Sequence, residues 1–266
     1  PCSRACSKRL WHRIQKGKYH MIRFILCVIV VVGFLILSIP ILLVEWIIGK
    51  FNPMAKEISS LRIVQAVFRF ILWVAGVKLT VIGEENVPTD TPVLYIGNHR
   101  SFFDVPITYP RCPIRTGYIA KKEMEKVPLL STWMKRLHCL FLDRKDIKQG
   151  LKTILAAIEK VKSGISICIF PEGTRSKNED ELDMLPFHEG SFKIATKTNC
   201  PIIPMAISGS ADIWESHFPR IKKTHVILEY GKPIYVDQLE KEDQKHLGAY
   251  TQNIIHEMLV KNRAQL

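Results

Sequence analysis

The sequence predicts an α/β fold in which a central mixed β-sheet is flanked by helices, behind an N-terminal membrane-associated segment of two helices. Three observations carry that expectation. From about Lys78 onward, short runs rich in β-branched and aromatic residues alternate with helical patterns. The hydropathy of the chain is concentrated near its N-terminus. The most polar and least generic stretches directly follow strand-like runs, where α/β folds gather their sites.

The chain has 266 residues and a formal net charge of +13, from 38 Lys and Arg against 25 Asp and Glu. Its first part, residues 1–23, is a basic flank carrying Arg4, Lys8, Arg9, Arg13, Lys16, Lys18 and Arg23 with no acid among them. A basic run just ahead of an apolar one suits anionic headgroups, or a plain positive-inside flank with no partner, rather than nucleic acid. The apolar run, residues 24–49, reads FILCVIVVVGFLILSIPILLVEWIIG; Glu45 is its one charge and Pro40 marks a kink. It is longer than a signal-peptide core, and no small-residue cleavage site follows, so the expectation is a retained anchor. A second apolar stretch, residues 61–77, carries Arg62 and Arg69. The two stretches form a helical hairpin over residues 24–77, turning near Asn52 and Pro53. A mid-bilayer Arg costs roughly 2.5–3.5 kcal/mol on insertion scales. The hairpin is therefore expected to lie shallow in one leaflet, with Arg62 and Arg69 snorkelling to headgroups. The first residue is Pro, and Met21 is a candidate for a true start.

Seven cysteines with no regular spacing argue against a disulfide framework and fit a reduced, cytoplasm-facing domain. Cys139, Cys168 and Cys200 sit in apolar contexts and read as small core residues. Cys2 and Cys6 lack further ligands for a metal site, and Cys27 reads as a buried thiol or an acylation site.

From residue 78 to 266 the elements follow in order. VKLTVIG, PVLYIGN, GYIAK, CLFLDR, SICIFPEG, PIIPMAISG and HVILEYGKPIYV read as strands. Between them, residues 148–164 place Leu151, Ile154, Leu155, Ile158 and Val161 at a period near 3.6, and Gly164 closes that helix. Residues 188–199 and 244–262 also read as helices.

Three stretches carry chemistry. In YIGNHRSFFDVP, His99 lies past a strand end and Asp104 follows five residues later. On a helix those five residues would turn the chain by about 500°, so the two meet only through a turn. Ser101 and Asp104 fit a capping box; equally, Asp104 in the first turn of a short helix can point back at His99, fix its tautomer and leave the other ring nitrogen as a base. Both readings can hold together. In ICIFPEGTRS, Gly173 allows a tight turn, Thr174 offers a hydroxyl and Arg175 offers a planar fork suited to phosphate, beside Glu172. The third stretch is basic, with Lys121 and Lys122 after one strand and Arg144 and Lys145 after another.

NHRSFFD, AKKEM, FLDR, FPEGTRS, FHEGSFKIA and CPIIPMAISG occur here in the order and approximate spacing of the glycerolipid acyltransferase family, and the chain resembles its 1-acylglycerol-3-phosphate acyltransferase branch over about residues 77–231. The resemblance makes residues 78–266 an acyltransferase domain. It implies that His99 is the general base and Asp104 its orienter. It also implies that Arg175, with Lys121 and Arg144, holds the acceptor's phosphate, beside Glu172, Gly173 and Thr174. Glu172, which cannot pair with phosphate, is expected to orient Arg175 or a hydroxyl. The reaction implied is transfer of a fatty acyl group from an acyl thioester, acyl-CoA or acyl carrier protein, to the sn-2 hydroxyl of lysophosphatidic acid, without metal or cofactor. His188 stands where many members have Lys, so it is not counted among anion-binding residues. Pro204 lies in a structural strand near the acyl path.

Other readings remain open at this level: glycerol 3-phosphate or another lysolipid as acceptor, a membrane-bound hydrolase with Ser101 as nucleophile, or an inactive membrane-binding module. A thioester donor requires the active site to face the cytoplasm, on the same side as the basic flank. The expected partners are the bilayer, lysophosphatidic acid and the thioester donor, with no nucleic acid.

Overall fold

The chain was analysed as a computed structural model that describes the backbone of residues 2–266 and the side chains of residues 19–266. The side chains of the basic flank up to residue 18, with Cys2 and Cys6, lie outside the described residues.

The apolar run forms the greater part of α1, Cys2–Phe51, and the second stretch forms α2, Pro53–Ala75. No break in α1 marks the boundary drawn at residue 23. Asn52 makes the turn: its side chain accepts from the Ala55 amide at 2.9 Å while Pro53 occupies the first helical position. Gly76, at φ 75°, ends α2 with its amide on the carbonyls of Leu72 and Trp73. Glu45 is buried in α1, and it accepts hydrogen bonds from the hydroxyls of Ser59 and Ser60 on α2, with Arg136 at 3.7 Å. A charge inside an apolar helix is thus matched by donors rather than left in lipid.

The strands are β1 Lys78–Ile82, β2 Leu94–Gly97, β3 Thr116–Lys121, β4 Leu140–Leu142, β5 Ser166–Ile169, β6 Ile202–Ser208 and β7 His225–Tyr230. The helices are α3 Asp104–Thr108, α4 Leu130–Arg136, α5 Ile147–Lys162, α6 Lys193–Thr198, α7 Lys241–Lys245 and α8 Leu247–Arg263. The seven strands form one sheet in the order β1-β7-β6-β2-β5-β3-β4, every pair parallel except β6 with β7. The expected mixed sheet is therefore present. Its central strands β2, β5 and β6 are buried along their whole length, which is why they read as nearly unbroken apolar runs. Layers cover both faces. The hairpin, α3 and α4 pack on one core; α5, α6 and α8 pack on the other.

Two details depart from the sequence reading. Leu151 and Leu155 are half exposed, so the apolar stripe of α5 is wider than the face it buries. The helix expected at 188–199 is a 3-10 turn, Glu189–Phe192, running into the short α6. Arg69 reaches the Pro110 carbonyl at 3.1 Å and Arg62 the side chain of Gln65 at 3.0 Å, while both residues remain exposed.

Candidate active site

Strands β2, β5, β3 and β4 are parallel neighbours, so their C-terminal ends share one edge of the sheet. His99 follows β2, Glu172 to Arg175 follow β5, Lys121 ends β3 and Arg144 lies two residues past β4. Asn98, just past β2, extends the ladder with its side chain, accepting from the Ile207 amide at 2.8 Å and donating to the Ile207 carbonyl at 3.0 Å. The chain leaves the sheet after Asn98 from a fixed point.

The chain then turns back on itself. Asp104 is fully buried, and its Oδ2 accepts from His99 Nδ1 at 2.7 Å and from the amides of Arg100 and Ser101 at 2.9 and 2.8 Å. Ser101 Oγ accepts from the Phe103 amide at 3.0 Å. One carboxylate thus makes both the contact to His99 and the back-bond to the Ser101 amide; the full capping box does not form, since Phe103 precedes α3 without a side-chain cap. The His99 ring stacks on Phe170, with centroids 4.4 Å apart and planes 12° from parallel. Among the described residues no protein group hydrogen-bonds its Nε2. With Nδ1 held by Asp104, the other ring nitrogen is the one left to meet a ligand.

Glu172 is buried at the end of β5, and its two oxygens accept from the His99 amide at 2.6 Å and the Leu185 amide at 3.0 Å. Burial raises its pKa, and those two amides partly oppose the rise. The sequence reading has it orient Arg175 or a hydroxyl; instead it braces the backbone of His99 against the loop that crosses the site. Gly173 turns at φ 72°, and a Cβ there would sit 3.3 Å from the His188 ring. Thr174 is exposed.

Arg175 lies flat over Phe102, its guanidinium carbon 3.6 Å from the ring centroid, and donates to Glu215 Oε1 at 3.3 Å. Glu215 was not identified from the sequence. Its carboxylate also accepts from the Phe102 amide and from Ser101 Oγ, both at 2.7 Å, so it joins the turn after His99 to Arg175. It belongs to no recognisable motif; the only trace of it in the sequence is a lone acid at the head of a loop carrying His217, Arg220, Lys222 and Lys223. Ser101, fully buried, directs its hydroxyl to Glu215 rather than to His99, which removes the arrangement a serine hydrolase needs.

The cations do not share one pocket. Arg175 lines a cleft of about 580 Å³ with Arg100, Lys177, Glu179 and Glu215. Arg144 lines a separate cleft of about 380 Å³ with Phe170, Gly173 and His188. Lys121 is exposed and pairs with Glu123 at 3.0 Å. An apolar cleft of about 280 Å³ lies between α1 and the sheet domain, lined by Phe24, Val28, Val31 and Phe68, and it shares Phe102 and Trp214 with the cleft of Arg175. Strand β6, expected near an acyl path, is buried in the sheet and lines neither of those two clefts.

Comparison with known proteins gives a family model described as acyltransferase, matching residues 78–208. A 1-acyl-sn-glycerol-3-phosphate acyltransferase of Cocos nucifera is 33% identical over 179 residues, covering 67% of this chain and 56% of that protein. The Saccharomyces cerevisiae protein of the same name is 30% identical, over 69% of this chain and 59% of its own length. That of Borreliella burgdorferi is 29% identical, over 76% and 78%. The chain thus spans less than two thirds of the first two relatives. The crystal structure of the 1-acyl-sn-glycerophosphate acyltransferase PlsC from Thermotoga maritima shares the fold, with a TM-score of 0.80 at 22% identity, covering 92% of this chain and 96% of that one.

Proposed function

We propose, from the match of residues 78–208 to the acyltransferase family model, that the chain transfers a fatty acyl group from an acyl thioester to the sn-2 hydroxyl of lysophosphatidic acid, giving phosphatidic acid. One observation carries the reading. A carboxylate-held His with its outer nitrogen open lies in the same turn as Phe102, the shared wall of an apolar cleft and of a cleft holding three cations and two carboxylates. That juxtaposition suits a substrate with an anionic head and a hydrocarbon tail.

In this mechanism His99 Nε2 takes the proton of the sn-2 hydroxyl as its oxygen attacks the thioester carbonyl. Asp104 stabilises the resulting imidazolium. The tetrahedral intermediate collapses, the carbon–sulfur bond breaks, and the imidazolium returns the proton to the leaving thiolate. Base catalysis contributes roughly 10²–10⁴ in rate; holding both substrates in line contributes much of the rest. Arg175, already flat on Phe102, takes the acceptor's phosphate, with Lys177 on the same wall, while Lys121 and Arg144 add positive field along the strand-end edge. The acyl chain lies in the apolar cleft against α1.

The two apolar helices associate the chain with membrane. We place the active site on the cytoplasmic side and the hairpin in a single leaflet. The support is that α1 lies along the catalytic domain instead of leaving it. Phe24 stacks on Trp214, Ser38 accepts from Trp133 Nε1 at 2.9 Å, and the Leu42 carbonyl accepts from Arg136 at 2.8 Å. These contacts cover residues 24–42 on one side, about 27 Å of helix, while apolar side chains such as Ile29, Leu37 and Trp46 face outward.

Purified protein offered acyl-CoA or acyl carrier protein thioesters with several lysolipids, and with none, tests this reading. His99→Ala is expected to abolish transfer without unfolding the chain. Ser101→Ala is expected to cost about 1 kcal/mol of stability and retain transfer. Thioester hydrolysis without lysolipid that is lost in Ser101→Ala would overturn the transferase assignment.

A further inference from the structure

Helix α5 buries one arc and leaves an apolar arc beside it uncovered. Thr153, Ala157, Ile158 and Val161 face the core. Ile147 is 89% exposed, and Leu151 and Leu155 are each 53% exposed. At i, i+4 and i+8 these three form a stripe along one shoulder of the helix, about 12 Å long. Lys148 and Lys152 stand beside the stripe, and Arg144 and Lys145 precede the helix. Among the described residues none of these four cations has a carboxylate partner. The nearby acids are committed elsewhere, since Asp143 pairs with Lys122 at 3.0 Å and Asp146 caps α5 through the Lys148 and Gln149 amides.

Two further features fix what this shoulder faces. It belongs to the helix layer on the sheet face opposite the one the hairpin packs on. It also opens into the cleft lined by Arg144, Ile147 and Leu151 and by Phe170, whose ring stacks on His99. A soluble partner seated there would have a route to the catalytic base. We propose that the α5 shoulder is the docking surface for the acyl donor's carrier, a small acidic acyl carrier protein whose carboxylates meet Arg144, Lys145, Lys148 and Lys152 while an apolar strip of its own helix covers Ile147, Leu151 and Leu155. The inference rests on the acyl-transfer reading above and names the donor for it.

The test uses the full chain in bilayer discs, with acyl carrier protein and acyl-CoA as alternative donors, and compares wild type with Lys148→Glu/Lys152→Glu and with Leu155→Ser. Both variants are expected to raise KM for the acyl carrier protein thioester by about tenfold and to leave acyl-CoA kinetics unchanged. Fluorescence anisotropy of labelled carrier protein, read without turnover, is expected to show the same weakening. Four outcomes would overturn the proposal: no carrier binding by wild type, carrier kinetics unaltered in the variants, equal loss with both thioesters, or loss of binding to anionic vesicles with carrier binding intact. If neither thioester acylates lysophosphatidic acid yet the charge reversal still abolishes carrier binding, the docking surface stands and the acceptor assignment falls.

Discussion

Glu215 shows how much of the site depends on a side chain outside the motifs. It accepts from Ser101 Oγ, the Phe102 amide and Arg175, so one carboxylate positions both the turn bearing the base and the cation above Phe102. Hydrogen bonds to charged groups contribute about 1.5–3 kcal/mol, which corresponds to roughly 10–100-fold in a rate or an affinity. Glu215→Ala is therefore expected to lower kcat and raise the KM of lysophosphatidic acid together, whereas removal of a remote surface acid would move neither. Arg175→Lys keeps the charge but loses the fork and the flat stacking, so it should raise only the acceptor KM; a change confined to the thioester KM would contradict its role. Asp104→Asn retains an acceptor for the Arg100 and Ser101 amides but not the charge opposite the imidazolium. Its kcat should fall by roughly 10²–10⁴ at nearly unchanged thermal stability.

Between the hairpin and the sheet, α2 is joined to the domain by a charged cluster. Glu57 on α2 accepts from Arg115 at 2.6 Å and lies 3.4 Å from His138 Nε2, while Lys160 of α5 approaches His138 Nδ1 at 3.3 Å. Burial holds the His138 imidazole below its ordinary value, against the opposing pull of Glu57. An unfolded His protonates near pH 6.5 and the folded one only at lower pH. The stability it contributes is thus fully present above pH 6.5 and is lost as pH falls from there through the folded value. His138 has φ 59°, which Asn tolerates. Thermal melts of His138→Asn and wild type between pH 7.5 and 5 should therefore show a smaller acid-induced drop in the variant. Parallel curves would remove His138 from this role.

On the scale of the whole molecule, the proposed single-leaflet hairpin puts residue 52 and the active site on one side of the membrane. Cysteines introduced near residue 8 and near residue 52, in a background without the native cysteines, should both react with an impermeant reagent from the cytoplasmic side. Reaction of residue 52 from the far side alone would make α1 a true span and exclude the single-leaflet hairpin.

Local chemistry made much of this legible from sequence. Alternating strand and helix periods specify an α/β sheet because each element must bury one face, and the strength of the apolar run near the N-terminus marks the hairpin with its Asn-Pro turn. His99 and Asp104 could be paired because a five-residue spacing permits contact only through a turn, and that turn forms. What depends on which residues meet across long stretches of chain was not legible. Glu172 supports the His99 backbone 73 positions away, and Glu215 reaches Ser101 across 114. No local period encodes such contacts. The division of Arg175 and Arg144 between two clefts, the anchoring of Arg69 on Pro110 and the uncovered shoulder of α5 have the same cause. Sequence periodicity reports how wide an apolar face is, but only the packed sheet determines how much of it is covered and which cations face the same space.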